Sequence, residues 1–443
     1  MYILCVYLFQ NNEGIMLVRF IVENFRSLRD RIELNITKSA LKGHAGNYFE
    51  HQDSRFLATT IIYGANASGK SGFLRAFQAL EFLVLNSADF KLDKGIAPYE
   101  PFLLDEDNQN NPVNFEIEFV SNDIRYSYLV SYSRKEIEAE ELNVHNGNYK
   151  SLLFSREKGK DIKFGDSYRG GKKTIERMTL PNQLFLSKAV ENNVEVLLDA
   201  YRFFDNKLKV YPILEGFAEE DLKRLYAKRL AEDANSSFSR KFNALICALD
   251  TGIAQVSAEE ANEEMFRFPA NIPDEVKAGF LDRYKYDIKT YHKVYKGGLH
   301  VGQKAFDVIE ESSGTKNLFA LGGVIIEALE HGHVLIVDEL EKNLHPDITT
   351  FLIRLFHRPD INRNNAQLIF ATHDITQLSH DTFRRDQVWF VEKDEFGASS
   401  MFRCSDIEGV RSDTPLDKWY IAGRLGATPV IQDENFLVEM QGD

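Results

Sequence analysis

At 443 residues, 44% of them apolar, and with a formal charge of −14, the chain exceeds the usual size of a single core and predicts one large core carrying a subdomain, or two domains. The acidic balance argues against a protein that coats nucleic acid over its whole surface, while leaving room for a local basic patch. Cys5, Cys247 and Cys404 stand alone with no C-x-x-C pair, which points to neither a disulfide framework nor a zinc ribbon and fits a reducing cytoplasm.

In chain order, residues 1–15 read as an N-terminal extension; the apolar run Met1 to Phe9 is far shorter than a membrane-spanning helix and lacks the basic lead of a secretion signal. No membrane segment is expected elsewhere. Leu17 to Ile36 predicts two strands joined by a short connection, and Gly43 to Arg55 a polar loop. Phe56 to Tyr63 is apolar and β-branched, the pattern of a strand covered on both faces. It runs into Gly64-Ala-Asn-Ala-Ser-Gly-Lys70-Ser71, an unbroken match to G-x-x-x-x-G-K-[ST]. Phe73, Leu74, Phe77, Leu80 and Leu83 then recur at three- and four-residue steps, the apolar stripe of a helix packing back on that strand.

This strand, loop and helix predict a phosphate-binding loop. Gly64 and Gly69 can adopt backbone angles that let successive N–H groups converge on phosphate oxygens, and the helix N-terminus adds its positive end. The candidate ATP-binding set is Asn66, Ala67, Ser68, Gly69, Lys70, Ser71 and Gly72. Lys70 serves as a point charge for the outer phosphates and the Ser71 hydroxyl as a magnesium ligand. The bland alternative is a glycine-rich turn with a surface lysine.

Phe102 to Leu104, Asn114 to Val120, Arg125 to Tyr132 and Ile137 to Val144 read as strands at short spacing, an antiparallel β-subdomain completing an N-terminal part over 16–180. From 181 to 300 the texture changes to a mainly helical insertion: Val194 to Phe204 and Phe217 to Ala231 have helical spacing, while 254–296 is polar and without clear period. Glu259, Glu260, Glu263 and Glu264 read there as a solvated helix face rather than a nuclease metal cluster. The C-terminal part, 301–443, restores regular alternation. Leu318 to Leu329 predicts a helix, Ile348 to Leu355 another, and His333 to Val337, Gln367 to Ala371 and Val388 to Val391 predict buried strands of a parallel sheet covered on both sides.

The strand beginning at His333 closes on Asp338-Glu339, placing two carboxylates at the edge that faces the ligand crevice of an open α/β sheet. Asp338 suits magnesium and Glu339 the orientation of an attacking water. His373, at the end of the next strand, has an N–H to offer a γ-phosphate. Ser312-Ser313-Gly314-Thr315, opening a helix, reads equally as an anion-accepting turn or a simple cap. His331 and His333 sit two apart without a third ligand and read as solvent-facing.

Together, Gly64 to Ser71, Ser312 to Lys316, Leu335 to Glu339, Asn343-Leu344-His345-Pro346 and Thr372-His373-Asp374 resemble the P-loop, signature, acid strand, D-loop and switch histidine of ATP-binding-cassette ATPases, in the soluble branch that includes the RecF, Rad50 and SMC proteins. Asn24-Phe25-Arg26-Ser27 resembles that branch's early strand motif. More narrowly, Glu311 to Lys316, Asn365 to His373 and Gly423-Arg-Leu-Gly-Ala-Thr-Pro resemble the compact bacterial AAA-family ATPases of abortive-infection and anti-phage systems, the RloA, AbiL and AriA type. The resemblance implies an α/β P-loop NTPase fold with a mixed central sheet, ATP and magnesium as cofactors, and Arg26, Ser313 and Gly314 as further nucleotide contacts. It also implies a homodimer or higher homo-oligomer in which one copy's signature closes over ATP held by another, an effector and a phage trigger as partners, and a cytoplasmic location. A Gln loop has no clear place and no TOPRIM nuclease domain follows the cassette, so the effector is separately encoded by analogy. A RecF-like ATPase acting directly on DNA is the rival reading.

Overall fold

The computed structural model describes residues 14–147, 149–211, 217–249, 252–261, 268–269, 271–429 and 440. Most of the N-terminal extension, and Glu263 and Glu264 of the acidic run, lie outside them. The elements begin with β1 (Met16–Glu23), β2 (Ile32–Asn35), β3 (Tyr48–His51), β4 (Ser54–Leu57), β5 (Thr59–Gly64) and α1 (Lys70–Asn86). There follow β6 (Val113–Ser121), β7 (Ile124–Tyr132), β8 (Ile137–Asn146), β9 (Tyr149–Glu157), β10 (Lys163–Phe164), α2 (Lys173–Met178), α3 (Phe185–Glu191), α4 (Leu198–Arg202) and β11 (Leu208–Tyr211). The middle of the chain forms α5 (Phe217–Glu232), α6 (Ser237–Ala248), β12 (Ile253–Glu260), α7 (Asp274–Arg283), β13 (Tyr286–Lys296) and β14 (Leu299–Asp307). The last elements are α8 (Ser313–His331), β15 (Val334–Val337), α9 (Pro346–Phe356), β16 (Gln367–Ala371), β17 (Val388–Lys393), β18 (Ser399–Arg403) and α10 (Leu416–Ile421).

The chain divides into two compact units: residues up to 212, 332–339 and from 354 on, and residues 213–331 with 340–353. Among the described residues the first unit holds two large sheets and the two-stranded β3–β4 sheet. One large sheet is antiparallel, in the order β10-β9-β8-β7-β6-β1-β2. Its strands alternate: in β7, Tyr126, Tyr128, Val130 and Tyr132 point inward between half-exposed neighbours, as a strand with one covered face requires. The other large sheet runs β11-β15-β16-β5-β17-β18. It is parallel from β11 to β17, with β18 added antiparallel, and β5, β15 and β16 are buried along their whole length.

Helix α1 turns Phe73 and Phe77 into the core, where Phe77 stacks on Phe20 of β1 at 3.9 Å between ring centroids and Phe73 meets it edge-on at 5.8 Å. Buried Gln367 on β16 fastens β1 to the parallel sheet by imitating a strand: its Oε1 accepts from the Leu17 amide at 2.7 Å and its Nε2 donates to the Leu17 and Leu57 carbonyls. The Leu17 groups lie at a bulge in the β1 pairing, and without the amide side chain they would be buried unsatisfied.

In the second unit, α5, α6 and α8 pack together beside a three-stranded sheet, β12-β13-β14. Gly322 and Gly323 open a notch in α8. A Cβ at Gly323 would lie 2.2 Å from the Tyr226 ring of α5, and one at Gly322 would press Leu245 of α6 at 3.1 Å. Each glycine inside a helix costs about 1 kcal/mol, offset here by the buried tyrosine it admits.

Several local expectations fail. The polar stretch 43–55 contains β3 and the start of β4, a short hairpin, so the strand leading to the P-loop begins at Thr59 rather than Phe56. Phe102 to Leu104 is not a strand: the Phe102 amide donates to the Asn24 side chain, and Leu103 and Leu104 are exposed. Glu259 and Glu260 end strand β12 instead of lining a helix. Among the described residues no group of three or more His, Cys, Asp or Glu side chains could hold a metal ion, and no helix is long and apolar enough to cross a membrane.

One buried group gives the first unit a pH dependence. His357 Nε2 lies 2.7 Å from Thr59 Oγ1 at the start of β5, and burial, with His44 and Arg354 adding to it, lowers the imidazole pKa to about 3. Between that value and the ordinary value near 6.5 the unfolded chain takes up a proton that the folded chain refuses, so stability falls as pH falls through this window. His357→Gln removes the effect: in denaturant melts the wild type loses stability relative to the variant below pH 6.5, by roughly 2 kcal/mol at pH 5, and parallel pH profiles would show that His357 carries no such linkage.

Candidate nucleotide-binding site

The Gly64 to Ser71 loop joins the carboxyl end of β5 to the amino end of α1. Its glycines are required by space as well as by angle. A Cβ at Gly64 would stand 2.3 Å from the Val391 carbonyl oxygen of β17, and one at Gly69, where φ is +119°, would stand 2.3 Å from Ser399 Oγ. Ala67 adopts the left-handed region with φ +61°, reversing the chain so that the loop closes on itself ahead of α1. Lys70 is buried and folds back over the loop, its Nζ donating to the Gly64 carbonyl at 2.8 Å and the Ala65 carbonyl at 3.0 Å.

Strand register brings the acidic pair to the same edge. Val337 of β15 pairs with Phe370 of β16, and Phe370 with Ile61 of β5, all parallel. Asp338 therefore leaves its strand level with the last residues of β5, its amide donating to the Tyr211 carbonyl at 3.1 Å. Burial raises the pKa of its carboxyl; the Ser71 hydroxyl facing it lowers it, Glu339 raises it and Lys70 lowers it. The second residue of the loop's Lys-Ser pair and the first acid of the strand thus share one cleft.

Glu339 is exposed, with φ +50°, a region a non-glycine residue occupies at a cost of roughly 1 kcal/mol or more. His373 is also exposed and follows β16 at the same sheet edge, beyond Thr372, whose amide donates to the Ile62 carbonyl.

The donors fit magnesium. Asp338 Oδ1 is buried with no hydrogen-bond partner, beside a serine hydroxyl and a lysine. An unpaired carboxylate oxygen next to a hydroxyl is a hard-oxygen pair of the kind Mg2+ takes while keeping most of its water. Ser68 Oγ, in the same loop as Ser71, is likewise buried and unpaired.

Two side chains outside the motif hold this loop. The hydroxyl of Ser399, the first residue of β18, donates to the Ser68 carbonyl at 2.5 Å and accepts from the Ser27 hydroxyl at 2.9 Å, while its amide donates to the Ser27 carbonyl at 2.7 Å. The turn carrying Ser27 also carries Arg26, in the left-handed region and paired with Glu100 at 2.9 Å. A Cβ at Gly72 would reach 3.7 Å from Ser27 Oγ and 4.0 Å from Arg26 Cβ, so this turn flanks the first turn of α1. Ser399 sits in no recognisable motif, and nothing in its sequence neighbourhood marks it as a loop support.

In the second unit, Ser312 caps α8, its Oγ accepting from the Thr315 amide at 3.1 Å. Ser313 opens that helix. Gly314 lies against the Asn343 carbonyl, 2.4 Å from where its Cβ would be, so the turn opening α8 and the 343–346 turn are in backbone contact. Ser313 and Asn343 also line an open cavity of about 270 Å³ with Lys316, Asn317, Lys342, Lys223, Glu219 and Glu220.

Ser399→Ala tests the support. It removes two hydrogen bonds worth about 1 kcal/mol each, so ATP affinity falls roughly fivefold or more with little change in the maximal turnover rate. Titration with a fluorescent ATP analogue reads this, and unchanged affinity would relegate Ser399 to a packing role.

The chain matches the AAA_21 family over residues 59–174 and 195–379, a family whose description reads "AAA domain" and names the AbiEii toxin and type IV toxin–antitoxin systems. No curated protein matches it. Among solved structures it is similar to the SMC head domain from Thermotoga maritima, with 13% identity and a TM-score of 0.37, covering 87% of this chain and 98% of that one. It is also similar to the recombination mediator protein RecF with ATP, of the RecFOR pathway, with 15% identity and a TM-score of 0.33, covering 89% of this chain and all of that one. With more than half of its residues matched, including the P-loop, the acidic strand end and the residues through His373, the chain belongs to the AAA_21 family of AAA domains.

Proposed function

We propose that this chain binds and hydrolyses ATP with magnesium as a molecular switch of bacterial anti-phage defence, holding or releasing a separately encoded effector, a nuclease. The observation that carries the reading is the single cleft in which Lys70, Ser71 and Asp338 meet at the carboxyl edge of the parallel sheet. The family's description, which mentions the AbiEii toxin and type IV toxin–antitoxin systems, supports the defence role.

Each residue has a role set by its position. Lys70, freed from the two carbonyls it now caps, reaches the outer phosphates; the amides of Asn66 to Gly72 and the amino end of α1 receive the phosphate chain. Ser71 and Asp338 hold magnesium, which neutralises charge on the phosphate oxygens. Glu339, exposed at the mouth, accepts a hydrogen bond from the attacking water and aims it, and His373 donates to the γ-phosphate. Arg26 flanks the nucleotide. Ser313 and Gly314 of a second copy complete the site in a head-to-tail pair. ATP bridging two copies favours the closed pair, and loss of the γ-phosphate removes that preference, which is the switch. A phage-derived trigger acts on this equilibrium.

Glu339→Gln separates binding from hydrolysis: ATP affinity is retained, turnover drops by about two orders of magnitude, and the ATP-bound pair accumulates in size-exclusion chromatography. Turnover equal to wild type would remove Glu339 from the water-orienting role. Asp338→Asn relieves the burial of a charge, so the nucleotide-free protein melts at a higher temperature, whereas the extra stabilisation that magnesium gives to ATP binding is lost, a drop of tenfold or more in affinity on the order of one charged ligand. Magnesium-dependent ATP binding that survives this change would place the ion elsewhere.

A further inference from the structure

From Ile288 to Phe306 the sequence has four lysines, two histidines and no Asp or Glu, in a chain whose formal charge is −14. This segment is the β13–β14 hairpin, and β12 covers only its base: β12 pairs with β13 no further than His292. Beyond that point Lys293 pairs with Gln303, Val294 with Gly302, Tyr295 with His300 and Lys296 with Leu299, as a ribbon of two strands alone. Its apolar side chains are open to solvent, Tyr295 at 59%, Leu299 at 74% and Val301 at 58%.

Such a ribbon does not hold itself. Two strands without a covered face are marginal in water, and apolar groups on a protruding edge invite aggregation. The base carries it instead: Thr290, fully buried, and His292 both bond to Glu311, and Lys289 pairs with Asp307. Acids are thus spent at the base, and Lys293, Lys296 and Lys304 have no ion pair among the described residues.

We infer that the β13–β14 ribbon is a docking element for duplex nucleic acid, entering a groove between its two phosphate walls. The cations sit on both faces of the ribbon, because adjacent rungs face opposite ways: Lys293 shares its rung with Gln303, whereas Lys304 lies across from His292 on the next rung. A flat acidic surface would engage one face only; a groove has a phosphate wall for each. The size agrees. The strands are about 4.8 Å apart and the free overhang is roughly 13 Å long, against a major groove roughly 12 Å wide and 8.5 Å deep that admits a two-stranded ribbon. Gly297 and Gly298 form the tip with φ +59° and +80°, a two-residue turn without side chains, so the tip can approach the groove floor while Lys296 and Tyr295 stand behind it.

The test uses the full chain and a fluorescein-labelled DNA duplex of about 30 base pairs, with each single strand alone as the second arm, in anisotropy titrations across about 50 to 200 mM salt. The duplex binds more tightly than either strand. Replacing the three lysines together, Lys293→Gln, Lys296→Gln and Lys304→Gln, weakens duplex binding tenfold or more at the middle of that range, and the slope of log affinity against log salt becomes shallower by about 2.7, which is three phosphate contacts. Lys228→Gln with Lys277→Gln, exposed on helices of the same unit, leaves affinity and slope as they were. None of the three lysines is among the nucleotide-contacting residues, so the triple variant keeps wild-type ATP turnover without DNA, and this arm shows that it is folded. The inference is overturned if the wild type fails to bind duplex at the lowest salt, if single strands bind as tightly as duplex, or if the triple variant keeps the wild-type affinity and slope. None of these results bears on ATP hydrolysis, which the Glu339→Gln experiment reads separately.

Discussion

The candidate site depends on the register of three parallel strands. β15, β16 and β5 are consecutive parallel strands in fixed register, flanked in the same sheet by β11 and β17, and each is covered on both faces. A slip of one residue would turn a whole row of aliphatic side chains into the wrong layer. That constraint brings Asp338 to the end of the loop carrying Lys70 and Ser71, although hundreds of residues separate them in the chain. No single strong bond between the two segments is needed, because the sheet positions both.

The loop itself is assembled by close contact. Gly64 rests on the β17 backbone, Gly69 on Ser399, and Ser399 ties the loop to the Ser27 turn. These contacts tolerate no added carbon, and they leave the inward polar groups, Ser68 Oγ and Asp338 Oδ1, without protein partners. A cleft with unsatisfied buried oxygen is less stable than a filled one. The fold carries that cost at the sheet edge, where the raised pKa of Asp338 reports the same strain on the charged carboxylate.

What could be read from the sequence follows from how locally each feature is determined. The buried strands ending at Gly64 and Asp338 were legible because continuous aliphatic runs have few alternative placements, and α1 because Phe73, Phe77 and Leu80 repeat at helical steps. The parallel run of the central sheet and the antiparallel layer followed from the same patterns, whereas its mixed character, the antiparallel edge strand β18, was implied only by the family resemblance. The β3–β4 hairpin escaped because its residues are short, polar and largely exposed, so its pairing is decided by neighbours rather than by alternation. Phe102 to Leu104 misled for the opposite reason: an apolar run suggests burial, yet the Asn24 side chain fixes the backbone there and leaves two leucines in solvent. The stretch 254–296 was opaque because β13 is exposed on both faces toward the hairpin tip, so apolar and polar residues do not alternate there. Ser399 was invisible because its importance lies entirely in what the fold places against it.

The notch made by Gly322 and Gly323 has a consequence for movement in the second unit. A tyrosine ring seated at mid-length in α8 acts as a key in a slot: sliding or rolling the helix by one residue would drive a side chain into Tyr226 or empty the slot, and either misfit costs about 1–3 kcal/mol or more in a close-packed interior. The Ser312–Thr315 turn at the head of α8 therefore cannot shift by local creep of its own helix. It travels only when α5, α6 and α8 travel together, as one solid piece.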